Sequence, residues 1–297
     1  MNGERVRIGL TLPSFQSDPE RVLLVARAAE DAGIDGVFAF DHLFRQRGDA
    51  SGAERRPALE LLTMTAAVAA ATDRITVGTL VARATLRPVA VLRAAFDSLD
   101  RIAPGRIIAG LGGGDGESLA EDTAFGVLPG DPPPGGRGDA GIDVGEYRLQ
   151  RLEASVAALE DRPYPVWVAG VSPAAVRLAA SRANGWNRWS GGPASFGTAV
   201  ERVLAEVANA GRDRAAFTCT WGGLAVLGAD PAEAEAKRER LGGDRPGIVR
   251  GTPSEVADQI AAYAGAGADW VILGPIDSSD PANAALLGEA AAVLRTG

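Results

Sequence analysis

Residues 6–42 read VRIGLTLPSFQSDPERVLLVARAAEDAGIDGVFAFDH, and this stretch indicates the fold of the whole chain. Two short β-rich runs flank a segment in which apolar residues recur at helical spacing. Asp18 is a typical helix N-cap, Pro19 suits the first helical turn, and Gly33 is a typical residue at a helix end. The stretch therefore predicts a strand, a helix and a second, parallel strand.

The same alternation of a β-rich run and a helical segment continues along the chain. We predict strands at Val6–Leu12, Gly36–Phe40, Ile75–Val81, Arg106–Leu111, Val166–Ala169, Trp186–Ser190, Phe217–Leu227 and Trp270–Leu273. Such units imply parallel strands joined by crossover helices, and a length of 297 residues suits a (β/α)8 barrel, which takes ~250 residues. We therefore predict the α/β class, as a single TIM-barrel domain over residues 1–297. An open, doubly wound sheet is the alternative.

The composition disfavours several classes of function. A formal net charge of −8 argues against binding to nucleic acid. The chain has one cysteine (Cys219) and one histidine (His42), so we expect no disulfide and no Cys- or His-rich metal site. The one lysine, Lys237, lies in a charged run, which argues against Schiff-base chemistry. No apolar run approaches ~18 residues and the start is polar, so we expect no membrane span, no signal peptide and a cytoplasmic protein.

One segment departs from this rhythm. Residues 126–138 hold nine Gly or Pro in thirteen positions, after the fourth predicted strand. In a barrel, the loops that follow the strands surround the active site. We predict a flexible, Gly/Pro-rich insertion loop over residues 125–145. It is either a lid over the site or a solvated insertion without a role.

Two predicted strand ends carry groups suited to proton chemistry. Asp41 and His42 follow the second strand, and a histidine, with its pKa near neutrality, suits proton transfer or a hydrogen bond to a bound ring. Asp115 and Glu117 follow the fourth strand and add carboxylates at the same rim. These residues are the candidate catalytic groups. A surface or capping histidine is the alternative interpretation of His42.

Glycines and a helix start supply candidate binding sites. The fourth strand ends in Gly112, Gly113 and Gly114, which allow the backbone to approach a ligand closely. This run does not match the dinucleotide-binding fingerprint, because the acidic strand end expected about twenty residues later is missing. A tight barrel turn would explain the glycines equally well.

A candidate phosphate site follows the fifth predicted strand. There, Gly170 and Val171 precede Ser172, a typical N-cap for a helix that starts at Pro173. The positive end of that helix would face outward and attract an anion. Trp186, on the next strand, offers a ring on which a planar ligand could stack. A plain helix cap and a core tryptophan are the alternatives.

Taken together, these elements resemble the luciferase-like monooxygenase family of flavin- and deazaflavin-dependent oxidoreductases. The order and spacing of the motifs, rather than any single one, carry the resemblance. The motifs are Val6–Pro13, Gly36–Leu43, Ile75–Thr79, Arg87–Pro88, Pro104–Gly114, Pro165–Gly170 with Ser172, Asn184–Asn187, Gly251–Pro253 and Gly267–Asp269.

The resemblance implies a cofactor site across the barrel mouth near strands two to four. By resemblance, His42 adjoins the reactive ring with Asp41 beside it, and Leu80–Val81 marks a non-proline cis peptide that backs the ring. The segment 170–172 matches the family's phosphate loop. Asp115 falls where some members have a glutamate that acts as an acid, and because aspartate is shorter, proton donation would pass to His42 or to Glu117.

The function that the resemblance favours is hydride exchange between the deazaflavin coenzyme F420 and a small organic substrate. The alternatives are a monooxygenase that uses reduced FMN and a flavin-binding barrel without turnover. No set of basic residues obviously forms a sugar-phosphate pocket, so a phosphorylated substrate is not supported. The resemblance also implies a homodimer.

Overall fold

The computed structural model describes residues 5–15, 18–47, 54–115, 118–127, 143–240 and 247–296. The strands are β1 (Arg7–Thr11), β2 (Gly36–Ala39), β3 (Phe44–Arg47), β4 (Glu54–Pro57), β5 (Thr76–Thr79), β6 (Ala82–Arg83), β7 (Ile107–Gly112), β8 (Val166–Ala169), β9 (Gly185–Trp189), β10 (Thr218–Leu227), β11 (Val249–Gly251) and β12 (Trp270–Pro275). The helices are α1 (Pro19–Asp31), α2 (Leu61–Ala71), α3 (Val89–Ile102), α4 (Ser118–Ala124), α5 (Val144–Leu159), α6 (Pro173–Arg182), α7 (Pro193–Asn209), α8 (Pro231–Arg240), α9 (Pro253–Gly265) and α10 (Ala282–Thr296).

Eight parallel strands of the described chain close into a barrel, in the order β1, β2, β5, β7, β8, β9, β10 and β12. The last strand closes the ring because it pairs with β10 on one side and with β1 on the other. Val271 of this strand lies opposite both Trp221 and Ile8. The predicted (β/α)8 barrel is confirmed, and the open-sheet alternative is wrong because every strand of the ring has two neighbours.

The first strand–helix unit forms as the sequence indicates. The Asp18 carboxylate accepts a hydrogen bond from the Glu20 backbone N–H at 3.0 Å, and Pro19 is the first residue of α1. Gly33 follows the helix with a φ of 72°, a conformation that glycine adopts at little cost. These two residues therefore set the ends of α1.

Three additions at the carboxyl ends of barrel strands were not predicted. After β2, the strands β3 and β4 form an antiparallel hairpin. The short β6 pairs with the end of β7, and β11 pairs with the end of β10. All three build up the rim of the barrel that carries the candidate site.

The interior of the barrel is filled by side chains. The apolar cluster inside it consists of Phe38, Ile108, Trp167, Trp270 and Ile272. Phe38 fits because its neighbours on the adjoining strands are glycines: a Cβ at Gly9 or Gly78 would lie 2.7 or 2.6 Å from its ring. The core leaves no channel for a ligand, which must bind above it, at the carboxyl ends of the strands.

The predicted insertion loop ends earlier than expected. Asp143 accepts hydrogen bonds from the backbone N–H groups of Gly145 and Glu146, so α5 begins at Val144. The last two positions of the predicted loop are therefore helical. Residues 128–142, which hold most of the Gly and Pro of the segment, lie outside the described part of the chain.

Candidate active site

His42 lies just beyond the end of β2 and is bound to a carboxylate from a distant helix. Its Nδ1 is 2.7 Å from Oε1 of Glu121, a residue of α4. The other oxygen, Oε2, accepts a hydrogen bond of 2.8 Å from the Leu43 backbone N–H. Because Glu121 holds both the ring and the backbone beside it, the imidazole is fixed in position at the barrel mouth.

Glu121 belongs to a buried network of charges. The guanidinium of Arg83, from β6, donates to Glu121 Oε2 at 2.7 Å and to Asp122 Oδ1 at 3.0 Å. Arg148, from α5, donates to Asp122 Oδ2 at 2.8 Å. The pairing compensates each buried charge, as burial requires. The network therefore ties α4 to β6 and α5, behind His42.

The pair alters the proton affinity of both partners. Burial alone would lower the pKa of His42, but the hydrogen bond and the negative charge of Glu121 outweigh it, so the pKa is raised from its ordinary value of 6.5. Burial alone would raise the pKa of Glu121, but the bonds from His42 and Leu43 and the charge of Arg83 lower it. The pair thus favours the protonated form of the ring and the ionised form of the carboxylate.

Asp41 faces away from the mouth. Its carboxylate accepts from the Arg83 backbone N–H at 2.9 Å and binds Arg87 through both oxygens, at 2.5 and 3.1 Å. The side chain is buried, with its bonding capacity directed at the protein. Asp41 thus positions β6 and the residues beside it, and its cofactor-binding role stays a prediction.

Val81 and Gly112, the last residue of β7, form a tightly packed surface beside Leu80. The peptide bond between Leu80 and Val81 is cis, as the resemblance implied. Val81 packs over Gly112, where a Cβ would lie only 2.5 Å from Val81 Cγ2. Beyond it, Gly113 adjoins Arg148, and Gly114 has a φ of 86° that glycine tolerates. Val81 therefore fills the space above Gly112, and the two backbones approach each other closely at this point.

Of the two predicted carboxylates at the end of β7, only one is described. Asp115 Oδ1 accepts from both the backbone N–H and the hydroxyl of Ser118, each at 2.8 Å, and so caps the turn before α4. Glu117 lies outside the described residues, and a catalytic role for either carboxylate stays a prediction. The carboxylate that contacts His42 is instead Glu121, which the sequence analysis missed.

The segment from Gly170 to Ser172 starts α6 as predicted. Ser172 Oγ accepts a hydrogen bond of 3.2 Å from the Ala175 backbone N–H, and Pro173 is the first helical residue. Gly170 has a φ of 143°, and the side chain of Val171 is 63% exposed. The positive end of the helix therefore opens to solvent beside the barrel rim, which suits a phosphate group.

Trp186 is a core residue, which corrects its predicted role as a stacking platform. It is only 1% exposed and stacks on Phe196 of α7, with ring centroids 6.0 Å apart. Its Nε1 donates to the Gly170 carbonyl at 2.7 Å. The indole cannot contact a ligand at the mouth, but it fixes the backbone of the candidate phosphate loop.

A different tryptophan, Trp189, reaches the mouth. It is the last residue of β9 and is 44% exposed. Its indole spreads over the two neighbouring strands because both carry glycine there: a Cβ would lie 2.6 Å from the ring at Gly222 and 3.4 Å at Gly274. The same point above Gly222 is 3.5 Å from Leu80 Cδ2, so Trp189 and Leu80 face each other across the top of the barrel.

These features fit a planar, phosphorylated cofactor. Val81 and Gly112 are packed together without space for a Cβ between them, and the positive end of α6 lies beside the barrel rim. Within the described ranges, no group of three or more His, Cys, Asp or Glu side chains is arranged to hold a metal ion. A search of the same residues finds no helix with the length and apolar composition of a membrane span.

On this fold, a histidine held by a carboxylate at the carboxyl ends of the strands indicates the active site of a barrel enzyme. The family model of the luciferase-like monooxygenases matches residues 5–139 and 142–245, and the chain belongs to this family. It is 29% identical over 308 residues to an F420-dependent glucose-6-phosphate dehydrogenase of Beutenbergia cavernae, covering 87% of this chain and 88% of that protein. The enzyme of the same name from Nakamurella multipartita is 33% identical over 199 residues, covering 63% of this chain and 57% of the relative.

Solved structures share the fold. An F420-dependent secondary alcohol dehydrogenase, in complex with an F420–acetone adduct, superposes with a TM-score of 0.76 at 15% identity, covering 98% of this chain and all of that one. The F420-dependent tetrahydromethanopterin reductase of Methanopyrus kandleri gives a TM-score of 0.72 at 18% identity, with 96% and 98% covered. A long-chain alkane monooxygenase gives 0.74 at 14% identity, with 99% and 92% covered. At these identities the likeness concerns the fold alone.

Proposed function

We propose that this protein is an F420-dependent oxidoreductase that exchanges a hydride with a small organic substrate. The observation that carries the proposal is the pair of His42 and Glu121, 2.7 Å apart, at the mouth of a luciferase-like barrel. The F420-dependent relative that spans most of the chain supports the choice of cofactor.

Leu80, Val81 and Gly112 would hold the deazaflavin ring, and the segment from Gly170 to Ser172 would hold its phosphate. When bound, F420 supplies a site that gives or accepts two electrons as a hydride. Val81 and Gly112 would support the ring as one packed surface, since no side chain fits between them. The start of α6 would contribute its positive end to the anion.

His42 would move the proton that accompanies the hydride. Its Nδ1 is bound to Glu121, so any proton that the ring gives to a substrate, or takes from it, passes through Nε2. The carboxylate orients the ring and stabilises its protonated form. This is the task of a general acid for reduction of a carbonyl, and of a general base for the reverse reaction.

Anaerobic turnover tests the proposal. Purified enzyme with F420 and a panel of alcohols, aldehydes and ketones should change the redox state of F420 without oxygen, and His42→Ala should lower kcat by about 100-fold or more. Oxygen consumption coupled to oxidation of reduced FMN and oxygenation of the substrate would contradict the proposal and favour the monooxygenase. Equal activity in His42→Ala would remove His42 from the mechanism.

Two alternatives have specific support. The family model is that of a monooxygenase, and flavin monooxygenases share the fold, which supports a protein that uses reduced FMN. A cofactor-binding barrel without turnover would bind F420 or FMN but fail every substrate assay. The turnover measurement above separates all three functions.

We also propose a homodimer in the cytoplasm. Partly exposed apolar residues at Leu59 and Leu62, beside α2, support the first proposal, although Leu61 between them is buried against the barrel. Light scattering that gives the mass of one chain would contradict the dimer, and cell fractionation tests the location.

A further inference from the structure

We infer that the substrate is an uncharged, largely apolar molecule with a flat face, not a sugar phosphate, and that Trp189 selects it. The inference rests on the proposed function and specifies the substrate class of the same site. It also separates this chain from the glucose-6-phosphate dehydrogenases to which it is similar.

Aromatic rings surround His42. Phe15, which follows β1, lies 5.2 Å from Phe40 and 5.8 Å from His42, between ring centroids. Phe40 lies 5.7 Å from His42, edge to face. All three side chains are half-buried, so the imidazole that Glu121 holds is also lined by two aromatic rings. Such a lining favours contact with apolar surface.

The apolar lining extends on both sides. Phe44 of β3 is 6.2 Å from Phe125, whose side chain is 58% exposed after the end of α4. Across the barrel, Trp189 presents its indole over Gly222 and Gly274. A substrate that reaches His42 would therefore meet aromatic surface from β2, from α4 and from β9. Large exposed aromatic surface around a site typically marks ligand contact.

The cations described near the mouth are already bound. Arg83 is paired with Glu121 and Asp122, Arg87 with Asp41 and Glu60, and Arg148 with Asp122. Breaking such pairs to bind a phosphate ester would leave a buried carboxylate without compensation.

Two further cations among the described residues lie close to carboxylates. Lys237 is held by Glu233, Asp277 and the Leu227 carbonyl. Arg21 lines a cavity of about 410 Å³ together with Asp277, Ser279 and Asp280, which would repel an anion.

Arg188 is also bound within the protein. Both of its terminal nitrogens donate to Ser195, one to the carbonyl and one to the hydroxyl, at 2.6 and 2.7 Å. It also lies between Asn187 and Trp189 on β9, and successive side chains of a strand point to opposite faces. Because Trp189 faces the top of the barrel, Arg188 faces its outside.

The reaction on such a substrate balances with F420 alone. A secondary alcohol such as 1-phenylethanol would lose the hydride on its carbinol carbon to oxidised F420 and its hydroxyl proton to His42 Nε2. The C–H and O–H bonds break, a C=O bond forms, and acetophenone leaves. The reverse reaction consumes reduced F420 and returns the proton from His42 to the oxygen.

His42 provides a readout that is independent of turnover, because it is the one histidine of the chain. The protein without cofactor, labelled with ¹⁵N in histidine, is titrated with acetophenone, with glucose 6-phosphate and with inorganic phosphate. Acetophenone should shift the His42 ring signals at a concentration at least tenfold lower than glucose 6-phosphate does. Equal or stronger shifts with the sugar phosphate would overturn the inference.

Variants of Trp189 test the selecting residue. Trp189→Ala should raise the KM for acetophenone at least tenfold and leave the Kd for F420 within threefold, whereas Trp189→Phe should keep most of the affinity for acetophenone. Thermal unfolding checks that both variants fold. An unchanged KM in Trp189→Ala would overturn the role of Trp189.

The proposed function and the inference about the substrate can fail separately. If acetophenone shifts the His42 signals but F420 neither binds nor changes redox state, the proposed function fails. If F420 binds and glucose 6-phosphate is turned over with the higher kcat/KM, the proposed function stands and the inference fails.

Discussion

At the scale of single residues, the site depends on which partner holds each titratable group. His42 and Asp41 are neighbours in the sequence, yet their side chains have different partners: Glu121 binds the histidine, and Arg87 binds the aspartate. His42 thus lies at the mouth with a raised pKa, while Asp41 holds Arg87 and the backbone of Arg83 in position.

Glu121→Gln should lower the pKa of His42, because the variant removes the negative charge that outweighs the effect of burial. The limb of the pH–rate profile that reports the titration of His42 should move to lower pH in parallel. The measurement is an NMR titration of the one imidazole in the chain. Glu60→Gln is the matched control: Glu60 binds Arg87 at the same rim, and its loss should leave the His42 pKa unchanged. An unaltered pKa in Glu121→Gln would show that the pair does not set the proton affinity.

Asp41→Asn should destabilise the fold by about 3 kcal/mol or more, because it leaves the half-buried Arg87 short of its main partner. Urea unfolding at neutral pH measures the change in the free energy of unfolding. The control is Glu160→Gln, which breaks an exposed pair with Arg182 and should cost less than ~0.5 kcal/mol. Equal losses in both variants would contradict the anchoring role of Asp41.

At the scale of elements, the ends of strands meet at the mouth while short additions hold them there. β6 brings Arg83 to Glu121, and α4 brings Glu121 to His42. The packed surface that is proposed to support the ring depends on the close approach of Val81 to β7, which only glycine permits at position 112.

Gly112→Ala should weaken F420 binding at least tenfold, or about 1.4 kcal/mol. The added Cβ would displace Val81, which is proposed to support the ring. Overpacking should also lower the free energy of unfolding by ~1–3 kcal/mol. Gly265→Ala, at the end of α9 with open space around it, is the control and should alter neither quantity adversely. Fluorescence titration gives the Kd, and unaltered F420 affinity in Gly112→Ala would place the ring elsewhere.

The sequence predicted the eight strands of the barrel and the helix start at the candidate phosphate loop, because these depend on local periodicity and capping. It could not predict Glu121, since that contact joins residues 79 positions apart. The sequence analysis selected Trp186, whereas Trp189 is the residue that reaches the mouth, and the cause of this difference is simpler. Side chains alternate along a strand, so residues at odd and even positions of β9 face opposite sides, and a local pattern does not tell which side faces the ligand.

At the scale of the whole molecule, hydrogen-bonded carboxylates make the fold sensitive to acid. The pKa values of Glu30, Glu60 and Glu121 are lowered from an ordinary 4.5, each by hydrogen bonds and nearby charge that outweigh burial. Groups with a lowered pKa stabilise the native state above the pKa of the unfolded chain, and this stability is lost as the pH falls through the folded values.

The midpoint of urea unfolding should therefore fall steadily as the pH is lowered from 5 to 3, roughly the range in which these groups take up protons. His42 acts in the opposite sense: its raised pKa contributes stability at low pH that is lost as the pH rises above its folded value. Glu121→Gln should flatten the acid side of the curve. A pH-independent midpoint would contradict this electrostatic description of the site.

The most direct test of the central claim, that this barrel is an F420 enzyme, is an equilibrium titration of the purified protein with F420 and with FMN, followed by tryptophan fluorescence. The account predicts that F420 binds at least thirtyfold more tightly than FMN, a difference of about 2 kcal/mol, and that Gly112→Ala weakens F420 binding at least tenfold. Tighter binding of FMN, or binding of neither cofactor, would contradict it.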